Sequence, residues 1–267
     1  MTVRLAIDVG GTFTDVVLDH HGHKTTAKVL TTPSRPADGF MAGVKQVLAD
    51  SSVAPEAVDL VLHGTTLATN ALIERKGVKT ALITTDGHRD TLEIAYENRF
   101  DQYDIQADRL PPLVPRALRL PVIERISARG EVLRELDEDS VLSHVPLLKE
   151  QKVESIAIGL IQAYANPDHE TRISEILQAA LPGVAISLSS QVCAEIREYE
   201  RQSTTVANAY VRPNISAYLA DMESQLTETG FKCPCLLMTS AGSLVTIETA
   251  SKFPIRLVES GPAGGAI

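Results

Sequence analysis

The residues best able to do chemistry crowd into one stretch near the start of the chain, DVGGTFTD, Asp8 to Asp15. Two adjacent glycines sit between carboxylates. On either side, Val3 to Val9 and Thr14 to Asp19 carry the β-branched and aliphatic residues of two strands joined by a tight connection. Glycine permits both the positive φ of such a turn and the close approach of backbone N–H groups to a phosphate. Gly10, Gly11 and Thr12 are therefore candidate phosphate donors. Asp8, at the strand end, is a candidate anchor for Mg2+ through its waters, with Asp15 as a partner from the opposite strand. A plain Gly-Gly hairpin with an acid at each end accounts for these residues equally well. The stretch lacks the Gly-Lys-Ser/Thr ending of a Walker A loop, and it is not the dinucleotide fingerprint.

Other polar residues carry two readings each. His63 follows an apolar run and precedes Gly64-Thr65-Thr66, where a strand hands over to a helix and free N–H groups favour an anion. A packed histidine beside a threonine cap explains it too. Asn70, one turn further on, faces either a cleft or solvent. Asn166, His169 and Glu170 read as a turn with a capping acid. Glu198, Glu200 and Arg201 form an ion-paired helix face, whereas Thr204, Thr205 and Asn208 are spaced to point together into a cleft. His20, His21 and His23 cluster at a hairpin tip that offers a metal no rigid support. No Ser-His-Asp set, C-x-x-C pair or H-E-x-x-H helix is present.

These groups need a scaffold, and the pattern predicts an α/β one. Lys24 to Leu30 adds a third antiparallel strand; Phe40, Val44, Val47 and Leu48 fall at helical spacing; Val58 to Leu62 is again an apolar strand run. A helix over 66–75, a strand over 80–84 and a helix over 88–96 continue the alternation that builds a mostly parallel sheet. Residues 97–121 break it with Pro111, Pro112, Pro115 and Pro121. Strands follow at 122–126 and 131–133, a helix over 138–150, a buried strand over 155–161, a helix from His169 to Leu181 and a strand over 184–188. A long helical pattern over 195–229, interrupted at Pro213, leads to a strand at 236–239 and a turn at Ala241-Gly242. A domain boundary is placed near residue 190. Ser260 and Gly261 before Pro262 suit the opening of a helix, so the chain reads as the front part of something longer.

Composition narrows the partners. The 267 residues carry 44% hydrophobic content and a net charge of −9, so the chain is globular and its surface is not built for nucleic acid or anionic membrane. Three cysteines, 193, 233 and 235, make no disulfide framework and read as reduced thiols in a cytoplasmic protein. No signal peptide or membrane-length apolar run is visible.

A strand, D-x-G-G-T and a second strand look like the phosphate-1 hairpin of the actin-like ATPase superfamily. HGTTLATNALIERKGVKTALITTDGHRD (His63 to Asp90), TTP (Thr31 to Pro33), YDIQADRLPPLVPR (Tyr103 to Arg116), NPDHE (Asn166 to Glu170), REYERQSTTVANAYVRP (Arg197 to Pro213) and ESGPAGG (Glu259 to Gly265) narrow this. In that order, across essentially the whole chain, the sequence resembles the hydantoinase A/5-oxoprolinase family. The resemblance implies an actin-like (ribonuclease H-like) lobe with a mixed sheet and an N-terminal antiparallel hairpin over 1–190, and the start of a second α/β lobe, the family's main domain, over 191–267. It implies ATP-dependent opening of a cyclic amide, a hydantoin, 5-oxoproline or a lactam, by phosphorylation of the amide oxygen. It carries nucleotide contacts to Asp8, Gly10, Gly11, Thr12, Thr14, Asp15, Gly261 and Gly264, the metal to Asp8, and catalytic roles to His63, Thr65, Thr66 and Asn70. ATP with Mg2+ as cofactors, a hydantoinase B-type subunit or domain as partner, and an oligomer are further implications.

The sequence departs from the family pattern at Gly264-Gly265, where an alanine before the last glycine is commoner, and at Ser240-Ala241-Gly242-Ser243, where Asn-Gly-Gly is usual. Related members make enol phosphates of ketones for carboxylation. A sugar kinase shares only the first hairpin, and a non-catalytic nucleotide-gated assembly protein is the remaining rival. Only one D-x-G-G-T hairpin is present, whereas the superfamily closes two lobes on ATP. The 267-residue chain alone is therefore expected to bind nucleotide weakly and to turn nothing over; steady ATP hydrolysis by the purified chain would contradict this.

Overall fold

Strict alternation creates the first sheet. In this computed structural model, which describes residues 2–32, 34–96, 103, 104, 106, 107 and 110–261, β1 (Val3–Val9) buries Val3, Leu5, Ile7 and Val9 and turns the residues between them outward. β2 (Phe13–His20) and β3 (His23–Leu30) extend it as an antiparallel meander, with Asp8 opposite Asp15. α1 (Pro36–Ser51) lays Phe40, Met41, Val44, Val47 and Leu48 against the buried face. β4 (Leu60–Thr65) joins β1 in parallel and α2 (Leu67–Ile73) follows it. β4 starts later than its apolar run, because Pro55–Ala57 forms a 3₁₀ turn and Val58 closes it.

The chain then builds a separate compact unit over Gly77–Pro213. β5 (Thr80–Thr85) is buried throughout, α3 (Thr91–Ile94) is a single turn, and β6 (Arg119–Val122) pairs parallel to β5. Pro121, expected to fall in the break over 97–121, lies inside β6. β6 is an edge strand, so the missing N–H costs no sheet bond. β7 (Arg125–Ile126) and β8 (Val132–Arg134) form a small hairpin. The helix expected over 138–150 is two helices, α4 (Glu138–Leu142) and α5 (Val145–Glu150), with Pro146 opening the second. β9 (Ser155–Gly159), α6 (Asp168–Ala180), β10 (Ala185–Leu188) and α7 (Ser189–Val192) complete a four-stranded parallel sheet ordered β10-β9-β5-β6.

α8 (Glu198–Thr229) runs through Pro213 without the expected interruption. The unit over 77–213 ends at Pro213, and Asn214 onward belongs with residues 1–76. Residue 190 thus falls inside a compact unit. β11 (Cys235–Met238), parallel to β4, and β12 (Leu244–Thr246) finish the first sheet in the order β12-β11-β4-β1-β2-β3, and α9 (Ile247–Lys252) follows. The fold is α/β, with a mixed sheet begun by an antiparallel hairpin. Among the described residues no helix is long and apolar enough to cross a membrane.

The NPDHE stretch is a clamp. Asn166 donates to the Gly130 carbonyl in the β7–β8 turn, and His169 Nδ1 meets Glu124 Oε2 at 2.8 Å. Glu170, fully buried, accepts from Leu160 N, Ser189 Oγ and Ser190 N at 3.1, 2.6 and 2.9 Å. Burial pushes its carboxyl above the usual range, and these hydrogen bonds pull against that. Removing the acceptor strands buried donors at the ends of β9 and β10. Glu170→Ala should lower unfolding free energy in urea by about 2–4 kcal/mol; a loss indistinguishable from zero would show that the clamp carries no stability.

Candidate functional site

The hairpin turn divides its polar groups between structure and opportunity. Gly10 N–H donates to the Phe13 carbonyl at 2.9 Å and is spent on closing the turn, a correction to its expected role as a phosphate donor. Gly11 and Thr12 are exposed, and no described residue takes their N–H groups. Thr14 is fully buried and also departs from expectation. Its hydroxyl lies 3.0 Å from that of Thr31, which donates to the Gly10 carbonyl at 2.9 Å, so Thr14 braces the turn from beneath. Asp15 is on the exposed side, 2.8 Å from Lys28 Nζ.

Asp8 shares that side. Burial first, and the Asp15 charge second, raise its carboxyl above the normal range, and a cation nearby would stabilise its charged form. A Cβ placed on Gly64 of the adjacent strand would lie 3.0 Å from Asp8 Oδ1, and one on Gly11 would lie 3.1 Å from Asn70 Nδ2. Both glycines keep ground clear that a side chain would fill, an arrangement that fits a phosphate and its metal. A cavity of about 360 Å³ adjoins Asp8 and Asp15, walled by Ala6, Val17, Leu62 and Met238 and bordered by Ser260 and Gly261.

The residues after β4 gather on the same turn. Thr66 N–H donates to the Val9 carbonyl at 3.1 Å, and its hydroxyl accepts from Asn70 Nδ2 at 3.2 Å. Thr65, buried, accepts from Leu67 N with its hydroxyl and from Ser260 Oγ with its carbonyl. A Cβ on Gly261 would lie 3.9 Å from Thr66 Cγ2. Gly11, Thr66, Asn70 and Gly261 are thereby brought together; Gly264 lies outside the described residues.

His63 is placed differently from the sequence expectation. Its ring is 1% exposed and sits on the inner side of β4, edge-on to Phe40 at 5.3 Å. Nδ1 lies 3.3 Å from the Ile7 carbonyl and Nε2 lies 2.9 Å from the Tyr218 hydroxyl, so the ring is neutral, donating at Nδ1 and accepting at Nε2. Burial lowers its pKa to about 4. It ties β1, β4 and α8 together behind Asp8. Thr205 and Asn208 are also buried, bonded to the Arg201 carbonyl and Ser187 Oγ, and so face no cleft.

Comparison with known proteins decides the family. The hydantoinase/oxoprolinase N-terminal region model matches residues 4–181, and the hydantoinase/oxoprolinase model matches residues 201–267. The chain belongs to the hydantoinase/oxoprolinase family. The caprolactamase subunit alpha of Pseudomonas jessenii is 38% identical over 97% of this chain and 38% of that protein. The crystal structure of the ATP-dependent caprolactamase from that organism superposes with a TM-score of 0.89 at 37% identity, covering 97% of this chain and 39% of that one. Yeast (Saccharomyces cerevisiae) 5-oxoprolinase is 31% identical over 99% of this chain and 23% of its own length. Nucleotide-free acetone carboxylase gives a TM-score of 0.89 at 27% identity, covering 99% of this chain and 40% of that one. This hydantoinase/oxoprolinase-family chain thus spans well under half the length of the relatives it matches.

Sequence reasoning missed Tyr218, which is 155 positions from the histidine it bonds. Nothing local marks it. Ser260 was visible only as a helix opener; helix does begin there, and its hydroxyl also bonds the Thr65 carbonyl. The His63 site also yields a pH test. An unfolded histidine titrates near 6.5 and the folded one near 4, so the unfolded state binds more protons between those values and stability falls as pH drops through that window. Unfolding free energy should fall by roughly 3 kcal/mol from pH 7 to pH 4 through this residue, and His63→Gln should flatten that part of the profile. Identical slopes for both proteins would refute the assignment.

Proposed function

We propose that this chain supplies the first phosphate-binding lobe of an ATP-dependent enzyme that opens a cyclic amide, a hydantoin, 5-oxoproline or a lactam. The observation that carries it is the pair of N–H groups on Gly11 and Thr12 that no described residue takes, beside Asp8 at a turn braced by Thr14 and Thr31. In this reading Gly11 and Thr12 hold ATP phosphate oxygens, Asp8 holds Mg2+ through its waters, and Asn70 and Thr66 border the phosphates. ATP supplies a phosphoryl group that turns a resonance-stabilised amide oxygen into a leaving group. Asp15 keeps negative charge near the metal while Lys28 limits its repulsion of Asp8. His63 and Tyr218 fix the strand from which Asp8 projects.

Caprolactamase and the acetophenone and acetone carboxylase relatives are named as subunits of larger assemblies, which supports a partner subunit here, a hydantoinase B-type subunit in this reading. Three free cysteines suit a reducing, cytoplasmic setting. A ketone carboxylase is the second reading, favoured by the likeness to acetone carboxylase. Assaying ATP hydrolysis by the complete protein with its partner, against hydantoin, 5-oxoproline, lactams and ketones with and without bicarbonate, separates the two. For the productive substrate, Asp8→Asn should lower kcat about a hundredfold or more, through loss of charge stabilisation at the phosphates. An unchanged rate would remove Asp8 from the site.

A further inference from the structure

The end of the first sheet away from Asp8 holds a cavity that the nucleotide reading does not use. Its volume is about 320 Å³, and it is framed by β4, β11, the junction of β12 with α9 and the C-terminal turns of α8. Val61 lies in its wall, whereas Gly64, three residues further along β4, is the neighbour of Asp8. At roughly 3.3 Å per residue the two places are about 10 Å apart along the strand. A group seated here leaves the hairpin mouth clear.

Two chemistries meet in it. The floor is apolar, made by Leu226, Phe231, Leu236 and Ile247. The rim is acidic. Glu223 and Glu248 line the cavity from exposed positions, the Asp59 charge reaches Cys233 in the wall, and a Cβ on Gly230 would lie 2.8 Å from Glu56 Oε1. Among the described residues none of these four carboxylates has an ion-pair partner. Lys232 is the one basic residue between 223 and 248, and it does not line the cavity. α8 adds to the field, since its last turn carries no basic side chain and the negative end of its dipole has no cation from its own helix.

The two thiols in the wall act as apolar surface. Burial raises both, Cys235 to about 12, so they stay protonated, and among the described residues no group of acids, histidines and cysteines is arranged to hold a metal. The volume is at the small end of the range for ligand sites, about 300–1,000 Å³. It suits one long side chain rather than a nucleotide. An arginine or lysine satisfies both halves, its methylene stem lying on the apolar floor and its charge meeting the acidic rim and the helix end.

We propose that this cavity is the socket for a lysine or arginine on a basic segment of the partner subunit. The proposal rests on the partner-subunit reading above, which relatives named as subunits support. Charge complementarity selects the occupant: a rim of unpaired carboxylates, on a chain of net charge −9, is matched by a basic surface and repels an acidic one.

Cys233, half-buried in the cavity wall, is a natural reporter. Iodoacetamide labelling of the full-length protein, alone and with the purified hydantoinase B-type subunit, is read at Cys233 by peptide mass spectrometry, and association is measured on the same samples by sedimentation. Cys233 should label about tenfold more slowly in the complex than in the free chain. Glu223→Lys and Glu248→Lys, both at exposed positions, should each weaken the complex about tenfold and flatten its salt dependence while leaving the unfolding midpoint of the chain unchanged. A complex in which Cys233 labels at the free rate, or charge reversals that leave affinity and salt dependence at the wild-type values, would overturn the socket and leave the partner reading standing. Two proteins that do not associate at all would overturn both. Protection of Cys233 by cadaverine alone, with none from the subunit, would make the cavity a free-amine site and sink the proposal.

Discussion

The double pairing of β1 governs the phosphate-hairpin site. Asp8 has Asp15 opposite it on one side and Gly64 on the other, because β1 is antiparallel to β2 and parallel to β4 in a single register. Slipping either strand by one residue would turn Asp8 inward and a core residue outward. The register therefore puts a carboxylate at the open face, places two glycines where side chains would crowd it or Asn70, and sets Thr66 beside the turn. α1 and the His63–Tyr218 contact hold that register from behind.

Polar groups buried on the inner side do a different job from those at the surface. Thr14, Thr31 and His63 each satisfy a neighbour that the tight turn or the strand crossing would otherwise strand without water. The same logic holds in the 77–213 unit, where Glu170 collects donors from three segments that no regular ladder could serve. Among the described residues of the first unit, Asp8, Asp15, Gly11, Thr12 and Asn70 present polar atoms at the hairpin mouth. Their number is small, and that is what makes the turn readable as a binding site rather than as a plain hairpin.

Much of this was legible in the sequence. The alternation along Val3 to Val9, the glycine pair and the helical spacing of Phe40, Val44, Val47 and Leu48 each encode a local period, and the corresponding elements form. Long-range facts were not legible. Whether Gly10 N–H is free depends on Phe13 folding back, and whether His63 faces a cleft depends on a tyrosine from α8. Pro213 was read as a break because an isolated helix pays heavily for proline, whereas here α8 continues through it at the point where the chain passes from one compact unit to the other. Pro121 misled in the same way, since its tolerance follows from being at a sheet edge.

The central claim is that two backbone amides, and not the whole turn, receive the phosphates. Backbone amide NMR during titration of Mg2+ and ATP reads those amides directly. The account predicts the largest shift changes at Gly11 and Thr12, with Gly10 N–H, already bonded to Phe13, responding much less. Shifts centred elsewhere, or an equal response from Gly10, would contradict it.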